Sequence, residues 1–237
     1  MNGIMELIYG PSGAGKTYHA VHSPDPLVFD YDGGAHTMGL PPERLVRVSK
    51  SGDPEGFIKA VNDRIKTAGV PVRTLVFDDL TTLQMYHGFH LMGNQKVAMS
   101  GRDVLPKWGT MLVDLTVMVH ELRAQFADKG IHVVCVTKRG LGVDPLAPPT
   151  RDEDVPKIVC PDFQGKFGGR VGGLFDITVY AEPVVPQQHE PIFRYYFRRV
   201  GAFEAKNRYL HLGFDEAYID NITFTDVVNK IETLVKK

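Results

Sequence analysis

The residues with the clearest chemistry are GPSGAGKT, at positions 10–17. They fit G-x-x-x-x-G-K-[ST], follow the apolar run IMELIYG (4–10), and open a predicted helix. Gly10, Pro11, Ser12, Gly13, Ala14 and Gly15 form a loop whose glycines let backbone N–H groups turn inward on phosphate oxygens. The helix start adds a favourable field. Lys16 is placed to bridge terminal phosphates, and the Thr17 hydroxyl to coordinate magnesium.

Acids follow at two further strand ends. TLVFDD (74–79) puts Asp78 at the tip of a buried strand, where ligands bind in open α/β sheets and where it can share the metal with Thr17. Asp79 is expected beside it, capping the next helix. In VFDYDGG, Asp30 and Asp32 lie two apart and share a face if the strand continues that far. Asp32, nearer the tip, is the candidate base that orients an attacking water; the alternative is a plain turn acid before Gly33-Gly34.

Three basic stretches are candidates for other phosphates. EAKNRY (204–209) flanks Asn207 with Lys206 and Arg208, which point the same way from a strand. They read either as a solvated sheet edge or as cations for a neighbouring subunit's phosphate. QGKFGGRVGG (164–173) offers Lys166 and Arg170 to nucleic-acid phosphates and Phe167 to a base, with glycines that admit the backbone closely. GNQKVAMSGR (93–102) is a second such candidate, with Lys96 and Arg102. FRYYFRRV (193–200) reads as a strand with Phe193, Tyr195 and Phe197 buried and Arg194 and Arg198 on the other face.

These groups need a scaffold. Apolar runs at 4–10, 26–34, 72–80 and 131–138 alternate with helical patterns, the clearest being 106–130 with Trp108, Met111, Leu112, Leu115, Met118, Val119, Leu122 and Phe126 in one stripe. That pattern predicts a mostly parallel sheet covered on both faces. Residues 139–173 show no periodicity and are read as a long Gly/Pro-rich loop. LFDITVYAE, IFRYYFRRV and AFEAKNRYLHL follow as strands, expected antiparallel, and a helix over 223–237 ends the chain.

Composition narrows the classes. The 237 residues are 43% hydrophobic and 23% charged, an ordinary balance for one large domain. A formal net charge of -1 excludes a globally basic nucleic-acid binder and leaves local patches. Cys135 and Cys160 lack metal-ligand spacing and fit a reducing cytoplasm. No apolar run approaches the roughly 18 residues a membrane span needs, so no membrane partner is expected. MNGIMELIYG lacks signal-peptide character.

The order of phosphate loop, DYDGG, VFDDLT, long helix, VVCVTK, Gly-rich loop and a final AKNR resembles the RecA-like ATPase core. It is most similar to the short phage-encoded RecA-like proteins of single-strand annealing, among the phage AAA-domain ATP-binding proteins. The resemblance spans roughly residues 4–212. It implies one RecA-like P-loop NTPase domain, an α/β core with C-terminal antiparallel strands, using ATP and Mg2+ and hydrolysing ATP to ADP and phosphate. Asp32 takes the place of a glutamate and is one methylene shorter, so hydrolysis is slowed or needs a water bridge. Thr137 and Lys138 match the γ-phosphate sensor position. Lys206 and Arg208 match cations that reach the adjacent subunit's nucleotide, and 139–173 matches the mobile DNA loop. The implied partners are ssDNA, further copies in a ring or filament, and a single-strand-binding protein, in a bacterial host cytoplasm. The chain starts almost at the first core strand, without the polymerisation segment of full-length recombinases. The alternatives are a hexameric helicase-like or loader ATPase on the same fold, and a P-loop kinase of nucleotides or metabolites.

Overall fold

The computed structural model describes residues 2–92, 105–143, 157–163, 167–184 and 192–236. In chain order the elements are β1 (Met5–Gly10), α1 (Lys16–Val21), β2 (Pro26–Asp30), β3 (Leu45–Arg47), α2 (Pro54–Thr67), β4 (Thr74–Asp78), α3 (Leu80–Leu91) and α4 (Leu105–Gln125). Then come β5 (His132–Val143), β6 (Lys157–Pro161), the one-turn α5 (Gly168–Val171), β7 (Ile177–Val184), β8 (Ile192–Tyr196), β9 (Lys206–Asn207), β10 (Tyr218–Asp220) and α6 (Phe224–Val235).

The sheet runs β10-β8-β7-β1-β5-β4-β2-β3, with β6 on β5 and β9 on β7. From β3 to β7 every pairing is parallel; β8 pairs antiparallel with β7 and β10. The α/β class, mostly parallel with antiparallel C-terminal strands, is the one expected. β1, β2 and β4 are buried along their whole length, because side chains alternate into two covered faces. Met5, Leu7, Phe29, Leu75 and Phe77 pack on one face under α2, α3 and α4. Ile4, Ile8, Val28, Val76 and Val134 pack on the other under α1 and α6.

Helix boundaries follow local chemistry. Asp53 caps α2 by accepting the Gly56 N–H at 2.7 Å, and Pro54 supplies the preset first φ. Thr223 and Asp226 form a reciprocal capping box on α6. The α4 stripe of Met111, Leu115, Met118, Val119 and Leu122 is buried with Phe126, and Gly130 at φ 91° turns the chain back. No helix among the described residues is long and apolar enough to cross a membrane.

Two stretches depart from expectation. Residues 139–173 are not wholly loop: β5 continues to Val143 and folds against β6 as an antiparallel ladder, Arg139 opposite Pro161 to Val143 opposite Lys157. Glycine hides this ladder from a side-chain pattern and also permits it, since a Cβ on Gly142 would stand 2.8 Å from Cys160 Sγ. AFEAKNRYLHL is not one strand either. Only Lys206 and Asn207 pair with β7, because the Asn207 side chain accepts the Tyr209 N–H at 2.9 Å and bends the chain.

Candidate nucleotide site

The C-terminal tips of the parallel strands converge on a cavity of about 740 Å³. It is lined by residues 10–18 together with Asp32, Gly34, Met38, Asp78, Asp79, Lys138, Arg139 and Phe193. β1 delivers the phosphate loop directly into α1. Gly13 and Gly15 both have φ of 75°, the left-handed region that lets the loop curl. Gly15 is doubly constrained: a Cβ there would meet Phe193 at 2.6 Å and the Tyr195 hydroxyl at 2.7 Å. Tyr195 donates to the Gly15 carbonyl at 3.1 Å, so β8 braces the loop from behind.

Lys16 donates to the carbonyls of Gly10 at 3.0 Å and Pro11 at 2.7 Å. Burial lowers its pKa, against the raising pull of Asp78, Asp79 and Asp32. Thr17 donates to Asp78 Oδ2 at 2.7 Å. Burial pushes the Asp78 carboxyl up to about 7; the Thr17 bond opposes this, and Asp32, Asp79 and Asp30 add to it. A buried carboxylate touching a threonine hydroxyl, with further acids close by, is an oxygen donor set deficient in positive charge. It fits magnesium, which takes oxygen ligands. Asp79, joined to Asp78 by a cis peptide, accepts the Thr82 N–H at 2.7 Å and caps α3.

Asp30 and Asp32 part company. β2 ends at Asp30, which is fully buried, and the chain then bends, so the two acids do not share a strand face. Asp32 lines the cavity and accepts the Gly34 N–H at 2.9 Å. The insertion of β5 between β1 and β4 brings Lys138 to the centre: its Nζ lies 3.5 Å from Asp79 Oδ2 and 4.0 Å from Asp32 Oδ2. Thr137 does not face the cavity. It is fully buried, 2.7 Å from the Thr81 hydroxyl, which also donates to the Asp162 carbonyl at 3.1 Å.

The late basic pair lies elsewhere. β9 pairs with Ile177 and Thr178, level with Glu6 and Leu7 and so toward the N-terminal end of β1. Lys206 Nζ donates to the carbonyls of Phe175 at 3.0 Å and Gly173 at 3.2 Å. Arg208 donates to Asp176 Oδ1 at 3.1 Å and Gly173 O at 3.3 Å. Both cations do point the same way, onto the turn at 172–175. Arg123 from α4 shares Asp176 at 3.0 Å, a partner with no sequence signal.

Of the Gly-rich candidate, Arg170 is exposed on α5. Phe167 is half-buried: it meets Phe163 edge-on at 5.3 Å and packs against the main core. An aromatic flanked by glycines reads as exposed, but here the glycines serve close packing, with a Cβ on Gly168 only 2.5 Å from the Pro161 carbonyl. Lys166 and the stretch 93–102 lie outside the described residues.

Phosphate loop, Thr17–Asp78 pair and parallel sheet together define a P-loop ATPase fold. A family model described as an AAA domain matches residues 2–209, and the chain belongs to that family. A search of curated proteins finds no match. Among solved structures, similarity extends to the KaiC-like protein PH0186 from Pyrococcus horikoshii OT3, at 12% identity and TM-score 0.48, covering 84% of this chain and 81% of that one. It extends also to the RadB recombinase, at 16% identity and TM-score 0.43, covering 85% and 83%.

Proposed function

We propose that the protein is a magnesium-dependent, RecA-like ATPase that binds single-stranded DNA and promotes strand annealing or pairing in phage recombination. The observation that carries the ATPase reading is the convergence of Lys16, Thr17, Asp78, Asp32 and Lys138 on one cavity. ATP would draw Lys16 from the loop carbonyls onto its terminal phosphates, while Thr17 and Asp78 hold the metal. Bound magnesium supplies charge neutralisation of the triphosphate. Asp32 orients a water in line with the γ-phosphorus. The water oxygen bonds to phosphorus as the β–γ bridge breaks, ADP departs, and the water's proton passes to Asp32 or the released phosphate.

Lys206 and Arg208 stand on the far side of β1 and β7 from their own loop, roughly 10 Å down the strands. Released from the 172–175 turn, they would be free to serve the nucleotide of an adjacent copy, which would tie hydrolysis to assembly. The exposed Arg170 supports a single-strand contact, with ATP favouring the assembled, DNA-holding state and hydrolysis its release.

The test is ATP turnover with and without ssDNA, beside an annealing assay with complementary oligonucleotides. ssDNA is expected to raise turnover and the protein to pair strands without directional unwinding. A Lys206→Ala/Arg208→Ala chain mixed with a Lys16→Ala chain should recover part of the turnover that each lacks alone. Phosphate transfer to a small acceptor, indifferent to DNA, would overturn the DNA reading. Absence of rescue under assembling conditions would overturn action in trans.

A further inference from the structure

The turn that carries Asp32 is held from behind. Asp30 and Arg47 face each other across neighbouring strands β2 and β3. The buried Asp30 carboxylate accepts the Gly33 N–H at 2.7 Å with one oxygen and Arg47 Nη1 at 2.9 Å with the other. Gly33 sits at φ 94°, and a Cβ there would stand 2.7 Å from Arg47 Nη1, so the guanidinium lies flat against the turn. The following N–H, of Gly34, goes to Asp32 itself. A Cβ on Gly34 would be 3.7 Å from Asp78 Oδ2 and 3.8 Å from Thr17 Oγ1, so the same turn closes over the metal-binding pair.

We propose that Asp30 and Arg47 are positioning residues for hydrolysis, fixing where the Asp32 carboxylate stands over the γ-phosphate. The proposal rests on the reading of Asp32 as the water-orienting group. Aspartate has a short arm with two side-chain torsions, so its backbone position decides its reach. The pair is one-sided: the Arg47 side chain is 58% exposed while that of Asp30 is fully buried, so Arg47 both neutralises a buried carboxylate and fixes the turn that carboxylate holds. Its contacts hold Asp30 and Gly33, the residues that flank Asp32 in the turn beside the reacting atoms, where a displacement near 1 Å can cost as much as 100-fold in rate.

The experiment compares Arg47→Gln, Arg47→Lys, Asp30→Asn, Asp32→Asn and the double variant Arg47→Gln/Asp32→Asn. Single-turnover hydrolysis is measured with excess protein, nucleotide affinity with a fluorescent analogue. Arg47→Gln is expected to lower the hydrolysis rate about tenfold while nucleotide affinity stays within about twofold. Arg47→Lys should recover most of the rate, and Asp30→Asn should fall with Arg47→Gln. On the Asp32→Asn background, Arg47→Gln should cost nothing more, because both act through one carboxylate. A wild-type rate for Arg47→Gln beside an inactive Asp32→Asn would sink the positioning role alone, as would losses that multiply. Full activity of Asp32→Asn would remove the reading on which the role rests. Arg47→Lys keeps a cation on the buried Asp30 carboxylate, so the Arg47 series keeps the question answerable even where Asp30→Asn fails to fold.

Discussion

Two clusters of charge sit at opposite ends of the same strands, and they are satisfied very differently. At the C-terminal tips, Asp32, Asp78, Asp79, Lys16 and Lys138 surround an open cavity with incomplete pairing: Lys138 lies 3.5–4.0 Å from its acids, and the Asp78 carboxylate is met by the Thr17 hydroxyl. Toward the other end, Lys206, Arg208 and Arg123 are bound to Asp176 and to the carbonyls of the 172–175 turn. The first cluster is built with charge left over for a ligand. In both, a lysine must leave backbone carbonyls to reach a ligand, Lys16 those of Gly10 and Pro11 and Lys206 those of Gly173 and Phe175, but the second must also break the Arg208–Asp176 ion pair. A cation held this way suits a role switched on by assembly rather than a standing one.

The largest expected effect tests that division directly. Lys206→Ala/Arg208→Ala should lower turnover by about 1000-fold, as loss of an arginine finger does, with nucleotide affinity within about twofold. Lys16→Ala should do the reverse in kind, weakening nucleotide binding about 100-fold through its lost charged hydrogen bonds. Equilibrium binding and single-turnover hydrolysis on the same preparations separate the two. If the basic double variant lost affinity as Lys16→Ala does, the distinction between a standing and a recruited cluster would fail.

A smaller effect probes how the first cluster is braced. Gly15→Ala must adopt φ near 75° and push its Cβ into Phe193 and the Tyr195 hydroxyl. The left-handed conformation and the overlap together should cost about 2–4 kcal/mol, or roughly 5–15 °C in melting temperature. Gly13→Ala shares the φ but has no atom within 4 Å of its Cβ, so it should cost only about 1–2 kcal/mol. Equal melting temperatures for the two would show that β8 does not brace the loop.

What could be read from the chain divides along similar lines. The phosphate loop is contiguous, and Asp78 and Asp32 follow apolar runs, so their spacing along the sequence already encodes their placement at strand tips. The support behind them is long-range and leaves no local trace. Tyr195 reaches Gly15 across 180 residues. Arg47 reads as an ordinary polar residue of an alternating strand, and its partner Asp30 differs from Asp32 only in where β2 stops. The β5–β6 ladder is invisible for a different reason: Gly140 and Gly142 have no side chains to alternate, so the β5 half of the pairing leaves no pattern in the sequence. Lys206 and Arg208 were legible as a pair, but the Asp176 that holds Arg208 and the Arg123 that shares that carboxylate come from β7's approach and the end of α4.

The smallest effect concerns a pair buried behind the loop. His19, on α1 two residues after Thr17, is fully buried, with Nε2 2.7 Å from Glu6 Oε1 and Nδ1 2.9 Å from the Ile222 carbonyl. The carbonyl only accepts, so Nδ1 carries a proton, and the short Nε2–Oε1 contact holds a second one between ring and carboxyl. Burial pulls the His19 pKa down, but Glu6 and the two hydrogen bonds outweigh it, and the net direction is up. The unfolded chain releases this proton near pH 6.5, the ordinary histidine value. The folded pair therefore contributes its full stability below pH 6.5 and loses it as pH rises through the higher folded value. The measurement is the melting temperature of wild type minus that of Glu6→Gln/His19→Gln, followed from pH 6 to 9.5. The difference should shrink on the order of 2–4 °C with rising pH, equivalent to about 1 kcal/mol. A difference that stays flat would mean the pair is buried without its shared proton, and one that grows would reverse the sign of the linkage.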